Sequence, residues 1–489
     1  MRKSYLSVIF SIFGLTCAAQ SIDERIANAM NTSDWFALDS IYNEAPKGSI
    51  NPFLEVFSRG LIGNRLNRPN VSIPAFEELL NNYSASLDLS NLLNSAVMLS
   101  MDYSKVGDNA KAASVLTSVL DATRQHLDSA AIEGVQLYID RYNSLAAYRP
   151  YTISIEGSHG IVPFKLAPVG NPEKQAVLMK LENSTINGME ADIIFDTGAG
   201  VNIISDSLAQ KLNLIPLEAY NNVLGIGRQR AQYVIAKEIK LGNITVKDAP
   251  FVIVDFRVDN EEANRYMDCL SLVVGGELML QLKDLTIDFE NCEITVPAIA
   301  PEKSNIRPNM NFSPQMNLIT KGIIHNNPMW ICIDTGDASF GSLNGDFFEK
   351  NKDYVLANST PETVRTAGIG GVHISEAYKL PDVNITMGGS SVTVPQITVN
   401  PVTNPLNSDC ECNLGVKSLM QFGRIHFNMV DFTITTYPQN CRLFFSSKRS
   451  APTFKFTQGK PTFLQSAGIV ALSIANGLLN LNAPSVPDL

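Results

Sequence analysis

Two Asp-Thr-Gly triplets are the residues in this chain whose types and spacing could do chemistry. They are Asp196-Thr197-Gly198 and Asp334-Thr335-Gly336, 138 residues apart, and each follows a short apolar run typical of a β-strand. Hydrolysis of an amide by water needs a carboxylate that takes a proton from the water and a carboxylic acid that donates a proton to the carbonyl oxygen. A single aspartate cannot do both at once, so we interpret Asp196 and Asp334 as a pair that shares one site.

Three further landmarks repeat after these triplets, in the same order and at a nearly constant offset of 138 to 143 residues. The first is a Gly-Ile-Gly motif, the second is an apolar run that ends in Gly, and the third is an apolar strand-like segment. In that order, the pairs are 224–227 with 367–370, 272–275 with 412–415, and 285–289 with 424–427. Four landmarks at one offset are rare by chance, so they predict an internal duplication.

The arrangement resembles the aspartic proteases, and among them the retropepsin-like kind. In that family an apolar strand leads into Asp-Thr-Gly, a Gly-rich hairpin forms a flap, and a later apolar strand ending in Gly passes beneath the turn. The resemblance covers about residues 160–440. It implies two lobes, each supplying one catalytic aspartate to a shared cleft as in pepsin, with a flap on each lobe as in the viral dimer.

The resemblance also implies roles for the neighbours of the two aspartates. Thr197 and Thr335 would hydrogen-bond across the lobe interface, and Gly198 and Gly336 would let the turn backbone donate to the carboxylates. The flap glycines would permit hinge motion over a peptide bound in extended form. The flap residues are Gly225, Ile226 and Gly227 in the first half and Gly368, Ile369 and Gly370 in the second half.

Asp337 departs from the family pattern, which has Ala, Ser or Thr directly after the Gly, as Ala199 does in the first half. An inward-facing Asp337 would raise the pKa of the aspartate pair, whereas solvent and salt would screen an exposed one. Because burying an unpaired charge is costly, we expect Asp337 to face outward. The departure also leaves open that the second half has lost its activity.

The elements that must position these motifs change character along the chain. Between about residues 21 and 148 apolar residues recur at helical spacing. Two similar segments, 75–80 and 112–117, lie 37 residues apart, close to the roughly 34-residue period of tetratricopeptide helix pairs. A short stack of helical hairpins and a plain helical bundle both fit. Such a region either binds a peptide or packs on the next domain, and packing is the commoner outcome.

After residue 150, short β-branched runs separated by Gly, Asn and Pro predict a β-rich region, in which Asn187-Gly188 is a hairpin signal. The predicted fold class is mostly β, a bilobal aspartic-protease fold preceded by an α-helical hairpin domain. The predicted divisions are a signal peptide at 1–19, a helical, tetratricopeptide-like domain at 20–149, a first lobe at 150–305, a second lobe at 306–450, and a tail of unknown role at 451–489.

The first twenty residues have the pattern of a secretory signal peptide, with a basic start, an apolar run and the small residues Cys17 and Ala19 near its end. We expect cleavage after Ala19 and export, so that the mature protein is periplasmic or secreted. A lipoprotein anchor at Cys17 is the weaker alternative, because Thr16 and Gly14 stand where lipid attachment usually has other residues.

Composition and charge exclude several kinds of partner. The net charge of −10 disfavours a phosphate backbone, so nucleic acid is not expected. The five histidines are scattered and Cys410-Glu411-Cys412 has no second close Cys pair, so we expect no metal and no cofactor. We expect a monomer that takes a peptide or an unfolded protein as substrate. A further protein partner, bound through the helical domain, is left open.

Six cysteines remain after removal of the leader, and export permits disulfides among them. Many connectivities are open, and the pairing we prefer joins Cys441 to Cys410 or Cys412. Cys332 lies on an apolar run, where we expect a packed thiol. The six cysteines are Cys269, Cys292, Cys332, Cys410, Cys412 and Cys441.

The leading interpretation is an exported aspartic endopeptidase in which Asp196 and Asp334 activate water to hydrolyse peptide bonds. The alternative is a two-lobed protein of weak or no activity that holds an extended peptide in the same cleft and uses the helical domain as a docking platform. Hydrolysis of an unstructured protein at several pH values, with and without a statin-type transition-state mimic, separates the two.

Overall fold

The computed structural model shows a β-rich chain with a helical region at its amino-terminal end, as the sequence predicts. The predicted signal peptide at 1–19, the predicted tail at 451–489 and Cys441 lie outside the described residues. The structure describes residues 20–169, 176–224, 228–257, 261, 264, 267–313, 317–368, 371–403 and 410–438.

Seven α-helices make up the described helical region. Aspartates cap several of them, because an Asp side chain accepts a hydrogen bond from a backbone N–H that has no partner within the helix. Asp88, Asp108 and Asp128 each accept from the backbone N–H three residues later, in the fifth, sixth and seventh helices. The helices are α1 (Ile22–Asn31), α2 (Trp35–Glu44), α3 (Pro52–Arg65), α4 (Pro69–Asn82), α5 (Leu89–Lys105), α6 (Asn109–Thr123) and α7 (Ser129–Leu145).

Consecutive helices pack on one another through a continuous apolar core that includes Trp35, Phe57 and Phe76. Helices α3 and α4 approach each other closely at Gly63, where an added Cβ would lie 2.5 Å from the Ser72 backbone nitrogen. Only glycine fits at such a contact. The short connections between neighbouring helices favour helical hairpins. A tetratricopeptide relationship stays a prediction.

The first β unit, residues 152–297, contains thirteen strands and two short α-helices whose bounds are fully described. The helices are α8 (Asp206–Lys211) and α9 (Gly276–Leu282). The strands are β1 (Thr152–Ile155), β2 (His159–Pro168), β3 (Val177–Leu181), β4 (Ser184–Ile186), β5 (Met189–Glu190), β6 (Ile193–Phe195), β7 (Ile203–Ile204), β8 (Ile215–Leu224), β9 (Arg228–Leu241), β10 (Ile244–Ile253), β11 (Leu272–Val274), β12 (Asp284–Asp288) and β13 (Glu293–Pro297).

The second β unit, residues 310–437, contains ten strands and three short helices in its described part. The helices are α10 (Gly345–Lys350), α11 (Lys352–Asn358) and α12 (Val416–Leu419). The strands are β14 (Met310–Phe312), β15 (Leu318–Ile324), β16 (Asn327–Asp334), β17 (Ser342–Leu343), β18 (Thr360–Gly368), β19 (Gly371–Met387), β20 (Ser390–Val399), β21 (Cys412–Gly415), β22 (Arg424–Asn428) and β23 (Thr433–Tyr437).

The two β units repeat one strand order. The order β3-β6-β11-β7-β10-β9-β8 in the first unit corresponds to β15-β16-β21-β17-β20-β19-β18 in the second. Pairing directions agree as well, since β6–β11 and β16–β21 are parallel whereas β11–β7 and β21–β17 are antiparallel. The duplication predicted from sequence landmarks therefore extends to the topology of the described strands.

Strands β12 and β22 join the two units, because they pair directly in an antiparallel ladder. Ile287 and Ile425, which occupy equivalent positions in the sequence repeat, are Cα partners in this ladder. Strands β13 and β23 extend it on either side, and β13 continues to β2 of the first unit. Both isoleucines are buried, so the junction is part of the main apolar core.

The helical region packs against both β units. Toward the second unit, Arg65 donates to the carbonyl oxygen of Ser313 at 2.8 Å, and the Asn67 side chain donates to the Met429 carbonyl at 3.0 Å. Toward the first unit, α7 packs against β8. A cavity of about 780 Å³ lies between the helices and the strands. Its lining does not include the two aspartates of the triplets. These contacts support the packing role that we expected as the commoner outcome for the helices.

Two further findings concern the membrane and the cysteines. No helix within the described ranges is long and apolar enough to cross a membrane. Cys410 and Cys412 form no disulfide with another cysteine of the described ranges, and Cys412 is buried on β21. The preferred pairing with Cys441 involves a residue outside the described ranges, so it stays a prediction.

Candidate active site

Asp196 and Asp334 lie at the ends of equivalent strands in the two β units. Asp196 follows β6 and Asp334 ends β16, and the parallel partners of these strands, β11 and β21, run beneath them. The strands are apolar because both of their faces are buried. Each aspartate is only 1% exposed. The fold therefore places both carboxyl groups inside the protein, where they need polar partners.

The turn that follows each aspartate supplies the first of these partners. The backbone N–H groups of Gly198 and Ala199 donate to Asp196 Oδ1 at 2.8 and 3.1 Å. Those of Gly336 and Asp337 donate to Asp334 Oδ1 at 2.9 and 3.0 Å. One oxygen of each carboxyl group is held by its own turn in this way, while the other oxygen takes no part in the hydrogen bonds of that turn.

The two carboxyl groups lie against each other's turns. A Cβ added at Gly198 would lie 2.6 Å from Asp334 Cγ, and one added at Gly336 would overlap with the Asp196 carboxylate. Asp196 Oδ2 is buried and has no hydrogen-bond partner in the described part of the chain. Glycine is required at both positions because any side chain would occupy the space of the opposite carboxylate. The geometry brings the two aspartates together, as the duplicated triplets predict.

Thr197 and Thr335 connect the two turns by reciprocal hydrogen bonds. Thr197 Oγ1 donates to the Ile333 carbonyl at 2.6 Å and accepts from the Thr335 N–H at 3.1 Å. Thr335 Oγ1 donates to the Phe195 carbonyl at 2.7 Å and accepts from the Thr197 N–H at 3.0 Å. Four buried hydrogen bonds hold the turns in one relative position, which is the cross-interface contact that the resemblance implied.

Burial changes the protonation of both aspartates. It raises the pKa of Asp196 to about 6, against the opposing effect of the hydrogen bonds donated by its own turn. The pKa of Asp334 is raised well above its ordinary value, first by burial and then by the like charges of Asp196 and Asp337. Two carboxylates this close cannot both ionise readily, so the pair retains one proton over a range of pH.

Residues 183–272 match the family model for aspartyl proteases. The matched segment runs from the start of the β4 region to β11 and contains the Asp196 turn. This supports an aspartyl-protease domain and, in general terms, a peptidase. The segment ends before Asp334, whose place in the site is given by the geometry described above. Comparison with curated proteins and with solved structures gives no match.

Asp337 does not face solvent, so the expectation of an outward orientation is wrong. Its side chain is buried, and its Oδ1 accepts from the N–H and the hydroxyl of Ser339 at 2.9 and 2.7 Å. Its Oδ2 accepts from Asn413 at 3.1 Å. The expectation rested on the cost of burying an unpaired charge, but these donors give the carboxylate partners and remove most of that cost.

Asn413 is a site residue that the sequence analysis missed. Its side-chain nitrogen donates to Asp334 Oδ2 at 3.1 Å as well as to Asp337. In the sequence it appears only as a member of the landmark run on β21. A signal was present, because the equivalent position on β11 is the apolar Val273 and the position equivalent to Asp337 is Ala199. Two polar residues replace two apolar ones in only one of the repeats.

The predicted flap segments are flanked in the chain by two long antiparallel strand pairs. The hairpin of β8 and β9 leads to residues 225–227, and the hairpin of β18 and β19 leads to residues 369–370. Gly225, Ile226, Gly227, Ile369 and Gly370 lie outside the described residues, whereas the backbone of Gly368 ends β18. The flap assignments stay predictions, supported by the equivalent places of the two hairpins in the repeated topology.

The described residues contain no group of three or more His, Cys, Asp or Glu side chains that could hold a metal ion. Asp196 and Asp334 themselves supply one acid and one base group. A pair of buried carboxyls with a shared proton is suited to the acid–base hydrolysis of an amide.

Proposed function

We propose that this protein is an exported aspartic endopeptidase with a bilobal fold, in which the two β units are the lobes and Asp196 and Asp334 form one shared catalytic dyad. The observation that carries the proposal is the contact of each buried carboxyl group with the glycine of the opposite turn. Turns that are tied by reciprocal threonine hydrogen bonds hold this arrangement before substrate arrives. Such preorganisation is what an acid–base pair needs to act in concert.

In the proposed reaction a water molecule attacks the carbonyl carbon of the scissile peptide bond. The ionised aspartate takes a proton from this water, while the protonated aspartate gives its proton to the carbonyl oxygen, which yields a neutral tetrahedral diol. The roles then reverse. The newly protonated aspartate gives its proton to the amide nitrogen, the C–N bond breaks, and the other aspartate takes a proton from the diol, which restores the starting state with acid and amine as products.

The proposed substrate is a peptide in extended form or an unfolded protein. The hairpins β8–β9 and β18–β19 occupy equivalent places in the two units and would cover a strand-like ligand from both sides. The alternative, a peptide-binding protein without turnover, shares this cleft. This alternative predicts that the peptide binds and is not cleaved, because binding does not require a proton shared between the aspartates.

The experiment that tests the proposal is hydrolysis of an unfolded protein by the purified mature chain between pH 3 and pH 7. Cleavage that a statin-type inhibitor blocks, and that D196N and D334N both lack, supports the endopeptidase. Binding of the peptide without cleavage at any pH supports the alternative. Fractionation of the expressing cells, with sequencing of the mature amino terminus, tests export and cleavage after Ala19.

A further inference from the structure

The two halves of the site are unequal at two equivalent positions. Strand register shows the equivalence directly, since Val273 is the Cα partner of Ile194 and Asn413 is the Cα partner of Cys332, and both partners precede their aspartates by two residues. The residue after each Asp-Thr-Gly is Ala199 in the first unit and Asp337 in the second. Only the second unit therefore carries an extra carboxylate and an amide beside its aspartate.

Asn413 connects the extra carboxylate to the dyad. A side-chain amide nitrogen has two hydrogens, and here one bond goes to Asp334 Oδ2 and the other to Asp337 Oδ2, each at 3.1 Å. The opposite orientation of the amide would place its carbonyl oxygen against two carboxyl groups. Because both acceptors lie next to one nitrogen, they fall within the roughly 4–6 Å over which one carboxylate raises the pKa of another.

Burial raises the pKa of Asp337, and the groups around this carboxylate act in the opposite direction. It accepts two hydrogen bonds from Ser339 and one from Asn413, and the positive charge of Lys417 also opposes the effect of burial on its pKa. The other ionisable groups that influence this side of the site are Asp196 and the thiols of Cys332 and Cys412. Burial raises the pKa of Cys412 well above its ordinary value, so this thiol stays neutral.

Asp196 has no such neighbour. Its turn continues with the apolar Ala199, the strand beneath it presents Val273, and its Oδ2 is buried without a hydrogen-bond partner among the described residues. A hydrogen bond from a protonated Asp334 would favour the ionised form of Asp196. The negative charge of Asp337 acts mainly on Asp334 and disfavours its ionisation.

We propose that Asp337 is a positioning residue that holds the shared proton of the dyad on Asp334, and that Asn413 fixes the two carboxyl groups side by side. The hydrogen bond that Asn413 donates favours the ionised form of Asp334, but the like charge of Asp337 has the larger effect and disfavours that form. Asp334 is then the acid that protonates the carbonyl oxygen, and Asp196 is the base that takes a proton from water, in the first step. In the second step each group reverses its transfer, so the proton is back on Asp334 when the products leave. This inference rests on the proposed function and specifies the roles that the two aspartates take within it.

The main test compares the pH dependence of kcat/KM in the wild type, D337N and D353N. D337N retains the shape of the side chain but removes its charge. We expect it to move the upper limb of the profile, which reports ionisation of the acid, downward by about one pH unit, equal to a tenfold loss of activity above that limb. D353N removes an exposed negative charge from the second β unit, and we expect it to leave the upper limb of the pH profile unchanged.

The second readout needs no turnover. Carbon-13 labelling of the aspartate carboxyls, with assignment through D196N and D334N, follows each group during titration. We expect the step at higher pH to belong to Asp334 in the wild type. The double variant D337A/N413V gives the second unit the residues of the first unit. The carbon-13 signals of both aspartates should then change in both titration steps, because neither aspartate is favoured to carry the shared proton.

The outcomes separate the two proposals. A wild type that hydrolyses nothing, yet titrates with Asp334 as the group of higher pKa, overturns the endopeptidase and leaves the proton assignment standing. An upper limb that D337N does not move, or a higher pKa that belongs to Asp196, overturns the assignment while hydrolysis by the dyad remains.

Discussion

Arg141 in the last helix of the helical region forms an ion pair with Glu277, the second residue of α9, at 2.5 Å between Nη2 and Oε1. The other oxygen of Glu277 accepts from the Tyr151 hydroxyl at 2.7 Å, and that hydroxyl accepts from Asn202 at 3.0 Å. Asn202 in turn accepts from the N–H of Gly275. A continuous set of hydrogen bonds thus links the helices to the end of the strand beneath the Asp196 turn.

The first prediction concerns this ion pair. Both side chains are mostly buried, so removing one charge leaves the other without its partner. We expect Arg141→Met to lower the free energy of unfolding by about 3 kcal/mol. Activity per folded molecule should change only a few-fold, because we expect the helical region to contribute no catalytic group. Urea denaturation and active-site titration measure the two effects.

Arg124→Met is the matched control, because Arg124 forms a longer and largely exposed ion pair with Asp121 at 3.8 Å. Its expected cost is below about 0.5 kcal/mol. Equal effects of the two variants would show that the buried ion pair of Arg141 stabilises the protein no more than an exposed one does. A loss of turnover in folded Arg141→Met larger than a hundredfold would place the helical region within the active site.

The second prediction is that Asp196→Asn and Asp334→Asn each lower kcat by about 10²-fold to 10⁴-fold while the protein stays folded. The reason is that each turn supplies one half of the acid–base pair. Single-turnover assays at the pH optimum, together with circular dichroism, make the measurement. Asp353→Asn, on the surface of the second unit, should retain full activity. Near-full turnover by either dyad variant would exclude a shared site.

A third prediction follows from the raised pKa of Asp196. The unfolded chain releases this proton near pH 4, whereas the folded protein retains it until about pH 6. Between these values the folded state binds more protons, so the free energy of unfolding falls as pH rises. Asp196→Asn removes this titration and should become more stable than the wild type by on the order of 2 kcal/mol between pH 4 and pH 7.

Chemical denaturation of both proteins at unit steps of pH gives the comparison. At pH 4 the two proteins should unfold at similar denaturant concentrations. At each higher pH, the variant should become more stable relative to the wild type. A difference in stability that does not vary from pH 4 to pH 7 would show that Asp196 ionises in the folded protein as readily as in the unfolded chain.

The fourth prediction concerns the threonine bridge. Thr197→Val has nearly the same shape but lacks the hydroxyl, so it removes the bond to the Ile333 carbonyl and leaves the Thr335 N–H buried without a partner. We expect a loss of about 2–4 kcal/mol in stability and at least a tenfold loss in kcat, because the turns are no longer held together. Thr197→Ser retains the hydroxyl and should therefore retain most of the stability and most of the kcat of the wild type. Failure of the serine variant to do so would assign the effect to packing.

The sequence predicted the change from helices to strands and the position of both aspartates, because these depend on local patterns. Apolar spacing specifies an element over ten to twenty residues, and a strand followed by Asp-Thr-Gly is a short continuous signal. The duplication supported the assignment of the two aspartates more strongly than a single short motif could. Ile287 and Ile425, paired by their places in the two repeats, are partners in the ladder between the β units.

The orientation of Asp337 could not be predicted in the same way. The general cost of burying a charge indicated an exposed side chain, but that cost depends on which donors lie nearby. The donor that matters most for the dyad is Asn413, 76 residues away, which reaches Asp337 only because β21 runs beneath the turn. Register between distant strands decides such a contact, and no local pattern encodes it.

The sequence by itself determined the repeat, the strand-borne triplets and the types of groups that can act, since each is written in a continuous segment. Only the tertiary structure decided that Asn413 joins Asp337 to Asp334 and that Arg141 is linked to the strand below Asp196. The physical reason is that a buried polar group is stabilised by the partners that the completed fold brings to it. Those partners come from segments far apart in the chain.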